Sequence, residues 1–227
     1  TTLFRSYDRG PEASPHLYAQ DGSGEMLIGG DEQQADLPRN SEGVALIGDP
    51  RNDENFFIAH LHLAFLLFHN AMIDKLEAEG MAAGEERFHE AQRLVRWHYQ
   101  WLIVNEYLPL IVGHEMTEKV LNGDIRFYKL KEVCGVKVAP NIPVEFALAG
   151  FRFGHSQLSD RLPAIDGTLR PLFPVAGERG FSGGFTPLQE AANWSALVNP
   201  SHIGHQRAAA IDTRLAHALF NLPFIPD

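Results

Sequence analysis

The chain has 227 residues, 44% of them hydrophobic and 21% charged, which excludes a disordered, collagenous or low-complexity segment and favours a globular protein. Its 29 acidic against 19 basic residues give a formal charge of −10, which argues against binding to the phosphate backbone of a nucleic acid. The single cysteine, Cys134, excludes an intrachain disulfide, a four-cysteine zinc site and a CxxC redox pair.

The first predicted elements are a long irregular segment and a long helix. Residues 1–52 are rich in turn formers and predict irregular structure with a short strand at 26–28. A cluster of Asn and Asp then leads into residues 55–78, which contain no Gly or Pro and predict a helix. Apolar residues lie nearly all round this helix, so we expect it to be central and buried. Because its richest apolar stretch is flanked by His62 and His69, we expect no membrane span.

The rest of the chain predicts shorter helices separated by loops. A second long helix is predicted at 85–107, stopped by Pro109, and a short one at 115–121. Residues 125–138 are ambiguous between irregular and weakly β structure. Pro143 and Glu145 suit a first helical turn, which predicts a third helix from about 141 to 161.

The last part of the chain predicts a loop at 163–187, then helical patterns near 188–198 and 206–219. No internal repeat or long linker divides the sequence. We therefore predict a single, mainly α-helical domain over residues 1–227, with long loops and little β structure.

One candidate site centres on His155 in the third predicted helix. On one face of that helix His155 is accompanied by four apolar residues, Leu148, Phe151, Leu158 and Leu162, so it should point into the core. It is either a buried histidine satisfied by one hydrogen bond or an axial ligand to a planar, apolar cofactor. Arg152 lies on nearly the same side and could pair with an anionic group of such a cofactor.

The second candidate site is formed by Arg51 and Glu54, just before the long apolar helix. If both face inward, a cation and a carboxylate lie beside a dry cavity. Burying either charge there costs several kcal/mol of free energy unless the charge is paired or takes part in the function. The alternative is a local Arg–Glu ion pair with a helix cap. Neither candidate site decides the function alone.

Four ordered segments carry a resemblance that runs from about residue 8 to residue 222. They are GDPRNDE at 48–54, LHLAFLLFHN at 61–70, EAQR at 90–93 with Gln100 and YLPLIVG at 107–113, and FRFGHS at 151–156. Together they resemble the animal haem peroxidase family. The resemblance implies a mainly α-helical peroxidase fold and haem as the cofactor.

The resemblance also implies a role for each candidate residue. His155 matches the proximal ligand of the haem iron, and Arg152 matches a residue that pairs with a haem propionate. Arg51 matches the distal arginine that polarises bound peroxide. Glu54 matches a glutamate that can form an ester with a haem methyl. Asn55 stands where some members carry a methionine in a sulfonium link, so that link should be absent.

The implied activity is reduction of hydrogen peroxide through an oxyferryl intermediate, with oxidation of a halide, thiocyanate or a phenol. One alternative is a non-catalytic or haem-free remnant of such an enzyme. Another is a fatty-acid dioxygenase, but relatives of that kind have a radical tyrosine three residues before the proximal histidine, where this chain has Arg152. The sequence does not identify the donor or the oligomeric state.

Several parts of the family's site have no match in the chain, so we expect it to be the central part of a longer peroxidase. The segments without a match are the distal histidine with its aspartate and glutamine, a calcium-binding loop, and a later Asn-x-x-Arg segment. His16 lacks the neighbours of a distal histidine and is not assigned that role. Calcium is expected only if the parent contains its loop. The resemblance favours a secreted or extracytoplasmic location.

Overall fold

The computed structural model describes residues 7, 9–128, 132–133, 136–137, 141–199, 201–202 and 204–208. This part of the chain is mainly helical with few strands, which confirms the predicted class. Its α-helices are α1 (Phe56–Ala78), α2 (Glu85–Leu102), α3 (Leu108–Val112), α4 (His114–Leu121), α5 (Val144–Leu148) and α6 (Trp194–Val198).

The strands are short and form three antiparallel pairs. They are β1 (Gly29–Gly30) with β2 (Ala35–Asp36), β3 (Glu132–Val133) with β4 (Val136–Lys137), and β5 (Arg161–Pro163) with β6 (Leu169–Pro171). In the first pair Gly29 lies opposite Asp36, and in the last Leu162 lies opposite Arg170. The short 3-10 helices are Pro15–Leu17, Pro50–Asp53, Gly150–Gln157 and Leu188–Glu190.

Helix α1 confirms the predicted long helix. Asn55 is its N-cap, because the side-chain oxygen accepts a hydrogen bond from the Phe57 N–H at 3.0 Å. The buried face carries Ala59, Leu63 and Leu66 and packs against α2. The opposite side is also apolar but is 47% and 44% exposed at Leu61 and Leu67. The expectation that α1 is buried all round is therefore wrong for that face.

The irregular N-terminal segment packs over the α1–α2 pair. Tyr18, Leu37 and Met26 join the same core as Phe88 of α2. The side chain of Asn70 on α1 binds the backbone of Met26, accepting from its N–H at 2.8 Å and donating to its carbonyl at 2.9 Å. The Asn70 side chain thus satisfies the backbone groups of Met26 that a neighbouring strand would otherwise bind, and it fixes the irregular N-terminal segment against α1. Met26 itself forms only an isolated bridge with Tyr18, and the nearest strand, β1, begins at Gly29.

The second long helix does not stop at Pro109 as predicted. A π-helical stretch, Ile103–Tyr107, follows α2, and α3 continues through Pro109 until Gly113. In the π-helical stretch Leu108 donates to the carbonyl of Ile103, five residues back, so the regular hydrogen-bond pattern is already interrupted before proline. The helical rod ends at Gly113, whose φ is +86°.

The predicted helix from 141 to 161 is also wrong. Helix α5 covers only Val144–Leu148, and a 3-10 helix, Gly150–Gln157, follows it. Glycines at 150 and 154 weaken the helix. In addition, Leu148 and Phe151 are 71% and 68% exposed, so packing within the described residues does not support a longer helix.

A second core lies where the 161–197 segment meets the start of α1. It contains Phe56, Ala164 and Phe181, all at most 1% exposed. The predicted loop at 163–187 includes most of the β5–β6 hairpin, whose turn contains Asp166 and Gly167. The predicted helix at 188–198 is present only as a 3-10 turn and α6. Residues 206–208 are not helical, and the remainder of the predicted 206–219 helix lies outside the described residues.

Helix α1 is long and apolar enough to cross a membrane by length and composition alone, although the sequence leads us to expect no membrane span. Core helices of soluble proteins pass the same test. Within α1, His62 and His69 are at most 1% exposed and both form hydrogen bonds to other protein groups. Helix α1 is therefore a core helix with one exposed apolar face.

Candidate functional site

Arg51 lies in the 3-10 turn Pro50–Asp53, immediately before α1. Asp49 caps this turn, accepting from the Arg51 backbone N–H at 3.2 Å. The same carboxylate binds the Arg51 guanidinium, at 3.0 Å to Nε and 2.7 Å to Nη2. This hydrogen bond raises the pKa of Arg51 above its usual value. The Arg51 side chain nevertheless remains 65% exposed, and Glu54 is exposed too.

The inward orientation is therefore wrong, and of the alternative only the helix cap is present, not the Arg–Glu ion pair. Arg51 pairs with Asp49 rather than Glu54, and neither Arg51 nor Glu54 points into an enclosed cavity of the described structure. The arginine and the glutamate present their charged groups at the surface of the described residues. Because its guanidinium is held at one end by a buried aspartate, Arg51 keeps its remaining N–H groups available on the open side.

A buried ion-pair network fixes the residue between them, Asp53. Arg39 donates to both oxygens of Asp53, at 2.5 and 2.8 Å, and also to Asp36 at 2.6 Å. The Arg39 side chain is only 10% exposed. Burial by itself would lower the pKa of Arg39, but the hydrogen bonds to the two aspartates raise it above its usual value. Arg39 therefore ties the turn to strand β2 as a permanent cation.

The 181–184 segment holds the turn from another side. The N–H of Gly183 donates to the Glu54 carbonyl at 3.1 Å, and the N–H of Phe56 donates to the Phe181 carbonyl at 3.0 Å. A Cβ on Gly183 would lie 1.4 Å from the Asp53 carbonyl oxygen. Only glycine allows this close approach of the two backbones.

Two further polar side chains connect the turn to its surroundings. The amide of Asn52 donates to Nδ1 of the buried His62 at 2.8 Å, and burial lowers the pKa of His62 to about 4. The amide of Asn55 donates to the carbonyls of Leu172 and Phe181. Asn55 therefore has a structural use at the position where the resemblance places a methionine in some relatives.

His155 lies in the 3-10 helix Gly150–Gln157. Its Nδ1 is 2.5 Å from the carbonyl oxygen of Arg152. Since a carbonyl only accepts, Nδ1 carries a proton, and in the neutral ring Nε2 then carries the lone pair. Among the described residues no hydrogen bond reaches Nε2. The expectation that His155 points into the core is wrong for this part of the chain, because the ring is half-buried and its apolar neighbours, Phe151 and Leu148, are largely exposed.

The described contacts do not bring the two candidate sites together. Within the ranges that the structure covers, no hydrogen bond or ion pair links Arg51 or Glu54 with Arg152 or His155. The Arg152 guanidinium instead donates to the carbonyl of Ala147 at 3.3 Å. No group of three His, Cys, Asp or Glu side chains in the described chain is arranged to hold a metal ion.

An apolar groove between α1 and α2 is a separate feature. It has a volume of about 430 Å³ and is lined by Leu61, Phe65, Phe68, His98, Trp101 and Leu102, among others. His98 resembles His155 in one respect, since its Nδ1 also donates to a backbone carbonyl, that of Leu94, at 2.8 Å. The groove is therefore a second place where an imidazole is close to exposed apolar residues.

Sequence reasoning missed the residues that hold Arg51 in place. Asp49 could have been found, because an Asp-Pro pair before a helix is a typical N-cap followed by proline in the first turn. Arg39, Asn52 and His62 gave no local signal, since the Arg39–Asp53 and Asn52–His62 contacts join residues ten or more positions apart in the sequence.

Comparison with known proteins gives consistent matches. The sequence profile of the family described as animal haem peroxidase matches residues 7–192. Peroxidasin of Drosophila melanogaster is 26% identical over 67% of this chain and 10% of its own length, and human eosinophil peroxidase is 25% identical over 74% of this chain and 23% of its own. A solved structure of peroxidase A from Dictyostelium discoideum has a TM-score of 0.54 at 22% identity and covers 78% of this chain.

The chain is much shorter than these proteins. It spans 10% and 23% of the two curated relatives and 34% of the Dictyostelium structure. The structural similarity supports the mainly helical fold, and the profile match extends over most of the chain, including both candidate sites. The chain belongs to the animal haem peroxidase family.

Proposed function

We propose that this chain forms part of a haem peroxidase that reduces hydrogen peroxide and oxidises a small donor such as a halide, thiocyanate or a phenol. The observation that carries the proposal is the His155 imidazole. Its Nδ1–H is fixed by the Arg152 carbonyl, and its Nε2 lone pair is left without a partner among the described residues. A histidine used as an iron ligand needs this tautomer.

The residues near His155 in the sequence suit one side of a haem. Leu148, Phe151 and Leu158, within seven residues of His155, expose apolar surface, which a planar apolar macrocycle could cover. Arg152 supplies an exposed cation, and its side chain makes only one long hydrogen bond among the described residues, which leaves other donors for a propionate. Haem, when bound, would supply the redox chemistry.

We assign the other candidate residues as follows. Arg51 presents a positive charge that orients peroxide and favours negative charge developing on it, because Asp49 holds the guanidinium in one direction. Glu54 offers a free carboxylate that can be esterified to the haem. His155 and Arg152 bind and orient the cofactor. The family membership and the exposed positions of Arg51, Glu54 and Arg152 support these roles.

We further propose that the complete site includes residues outside this chain. The relatives are several times longer, and no residue of the described structure is assigned as the distal acid–base group. Without such a group the rate is expected to fall by about 10² to 10⁴. An extracytoplasmic location is part of the same proposal.

Haem titration tests the assignment of His155. Ferric haem is added to the purified chain, and the Soret band is followed for wild type, His155→Ala and His98→Ala. His98 is the matched control, since it has the same type of hydrogen bond to a backbone carbonyl and also adjoins apolar surface. We expect a saturable, shifted Soret band for wild type and His98→Ala and its loss in His155→Ala. Loss in His98→Ala alone, or binding unaffected by either change, would show that the proposal is wrong.

A further inference from the structure

The turn that carries Arg51 has little internal support. It is a single short 3-10 turn, and the bonds at its two ends run from Asn52 N–H to the Asp49 carbonyl at 3.0 Å and from Glu54 N–H to the Arg51 carbonyl at a long 3.5 Å. A single 3-10 turn with such bonds does not fix its own orientation. The direction of the Arg51 side chain must therefore depend on contacts with other elements.

Asn52 provides one of these contacts from inside the turn. It follows Arg51 directly, it is 6% exposed, and its amide donates to His62 Nδ1 at 2.8 Å. His62 lies on the buried face of α1 and is 1% exposed. Since the amide nitrogen donates, Nδ1 accepts and the proton is on Nε2. The bond therefore requires a neutral ring, and burial keeps the ring neutral by lowering its pKa to about 4.

The other nitrogen of His62 makes this arrangement costly. Nε2 is buried and has no hydrogen-bond partner among the described residues. Leu17, Met26 and Leu66 line a small cavity together with His62, so an apolar side chain of similar size would pack there without an unpaired donor. What His62 provides that an apolar residue would not is the bond to Asn52.

We propose that His62 is a positioning residue for Arg51, acting through Asn52 to fix the turn from which the guanidinium is presented. The proposal rests on the proposed function only for the role of Arg51 toward peroxide. Its structural content, that the His62–Asn52 bond holds the Arg51–Asp49 pair in place, applies to the chain without haem. It can therefore be tested separately.

The test measures the rate at which phenylglyoxal modifies Arg51 in the haem-free chain, by mass spectrometry of its peptides. Arg126, which is 73% exposed and weakly paired, is the internal reference in each sample. The variants are Asn52→Ala and His62→Leu, which remove the bond, and His62→Asn, whose amide can occupy the position of Nδ1. His69→Leu is the matched control, since it removes an equally buried histidine of α1 that binds Tyr7 and Gly24 instead of the turn.

We expect modification of Arg51 to be about fivefold faster in Asn52→Ala and His62→Leu, the factor that loss of one ordinary hydrogen bond gives. The rate should stay near wild type in His62→Asn and His69→Leu. Unchanged rates in Asn52→Ala, which keeps the buried core intact and should fold, would overturn the proposal. Equal acceleration in His69→Leu and His62→Leu would also overturn it, because that result indicates general loosening. Failure of haem to bind would refute the proposed function and leave this measurement unaffected.

Discussion

The substitution Gly183→Ala should separate the 181–184 segment from the turn that carries Arg51. The new Cβ would lie 1.4 Å from the Asp53 carbonyl oxygen and 2.6 Å from its carbon. Ordinary contact begins near 3.4 Å, so the two backbones must move apart by about 2 Å. No side-chain rotation relieves this overlap, because both contacts are to backbone atoms.

The size of the effect follows from the bonds between these two segments. Gly183 N–H to Glu54 O, Phe56 N–H to Phe181 O, and Gly184 N–H to Asp53 Oδ1 measure 3.1, 3.0 and 3.3 Å. A separation of about 2 Å takes them beyond hydrogen-bond distance. At about 1 kcal/mol for each bond, the free energy of unfolding should fall by about 3 kcal/mol, a large part of the stability of a typical domain.

Urea denaturation followed by circular dichroism measures this change. Gly154→Ala is the matched control, because its backbone is also compatible with alanine and its Cβ would meet nothing closer than a side-chain oxygen at 3.5 Å. We expect Gly154→Ala to change stability by less than about 0.5 kcal/mol. A loss below about 1 kcal/mol in Gly183→Ala would refute the reasoning, since it would mean that the two segments are not in the contact described.

Three other predictions concern pH, the buried ion pair and the cofactor. Burial lowers the pKa of His62 and His69 in the folded chain to about 4. Between pH 4 and 6.5 the unfolded chain therefore binds more protons at these two histidines than the folded chain does. Stability should therefore rise by about 3 kcal/mol per histidine across that interval and level off above it, and urea midpoints against pH should show a shallower rise in His62→Asn. Arg39→Met leaves the buried Asp36 and the partly buried Asp53 without a cationic partner and should cost about 3–5 kcal/mol, with a smaller loss in Arg39→Lys; equal urea midpoints for Arg39→Met and wild type would contradict this. After incubation with haem and peroxide, Glu54→Gln should release all its haem to acidified acetone while wild type retains a fraction, and equal retention would exclude the ester.

Local signals were sufficient to predict α1. Asn55 caps it, and no Gly or Pro interrupts the chain until the turn at Gly80. Pro109 misled the prediction, because a π-helical stretch had already changed the hydrogen-bond pattern before the proline was reached. The β5–β6 hairpin was missed, although Asp166-Gly167 is a typical hairpin turn sequence.

In the candidate site, too, the features that local sequence determines were predicted and the long-range contacts were not. Motif resemblance selected Arg51, Glu54, Arg152 and His155 as candidates, and their roles stay predictions. The partner of Arg51 depends on how a 3-10 turn is capped, and the apolar stripe beside His155 does not continue as one helix. Long-range partners such as Arg39 and His62 depend on packing between elements, which periodicity in one segment does not encode.

The most direct test of the central claim is the absorbance spectrum of the chain after addition of ferric haem. A shifted Soret band that saturates at one haem per chain, disappears in His155→Ala and remains in His98→Ala is the predicted result. A spectrum identical to free haem in the wild-type chain, or a bound spectrum that survives replacement of His155, would contradict the assignment of His155 as the haem ligand.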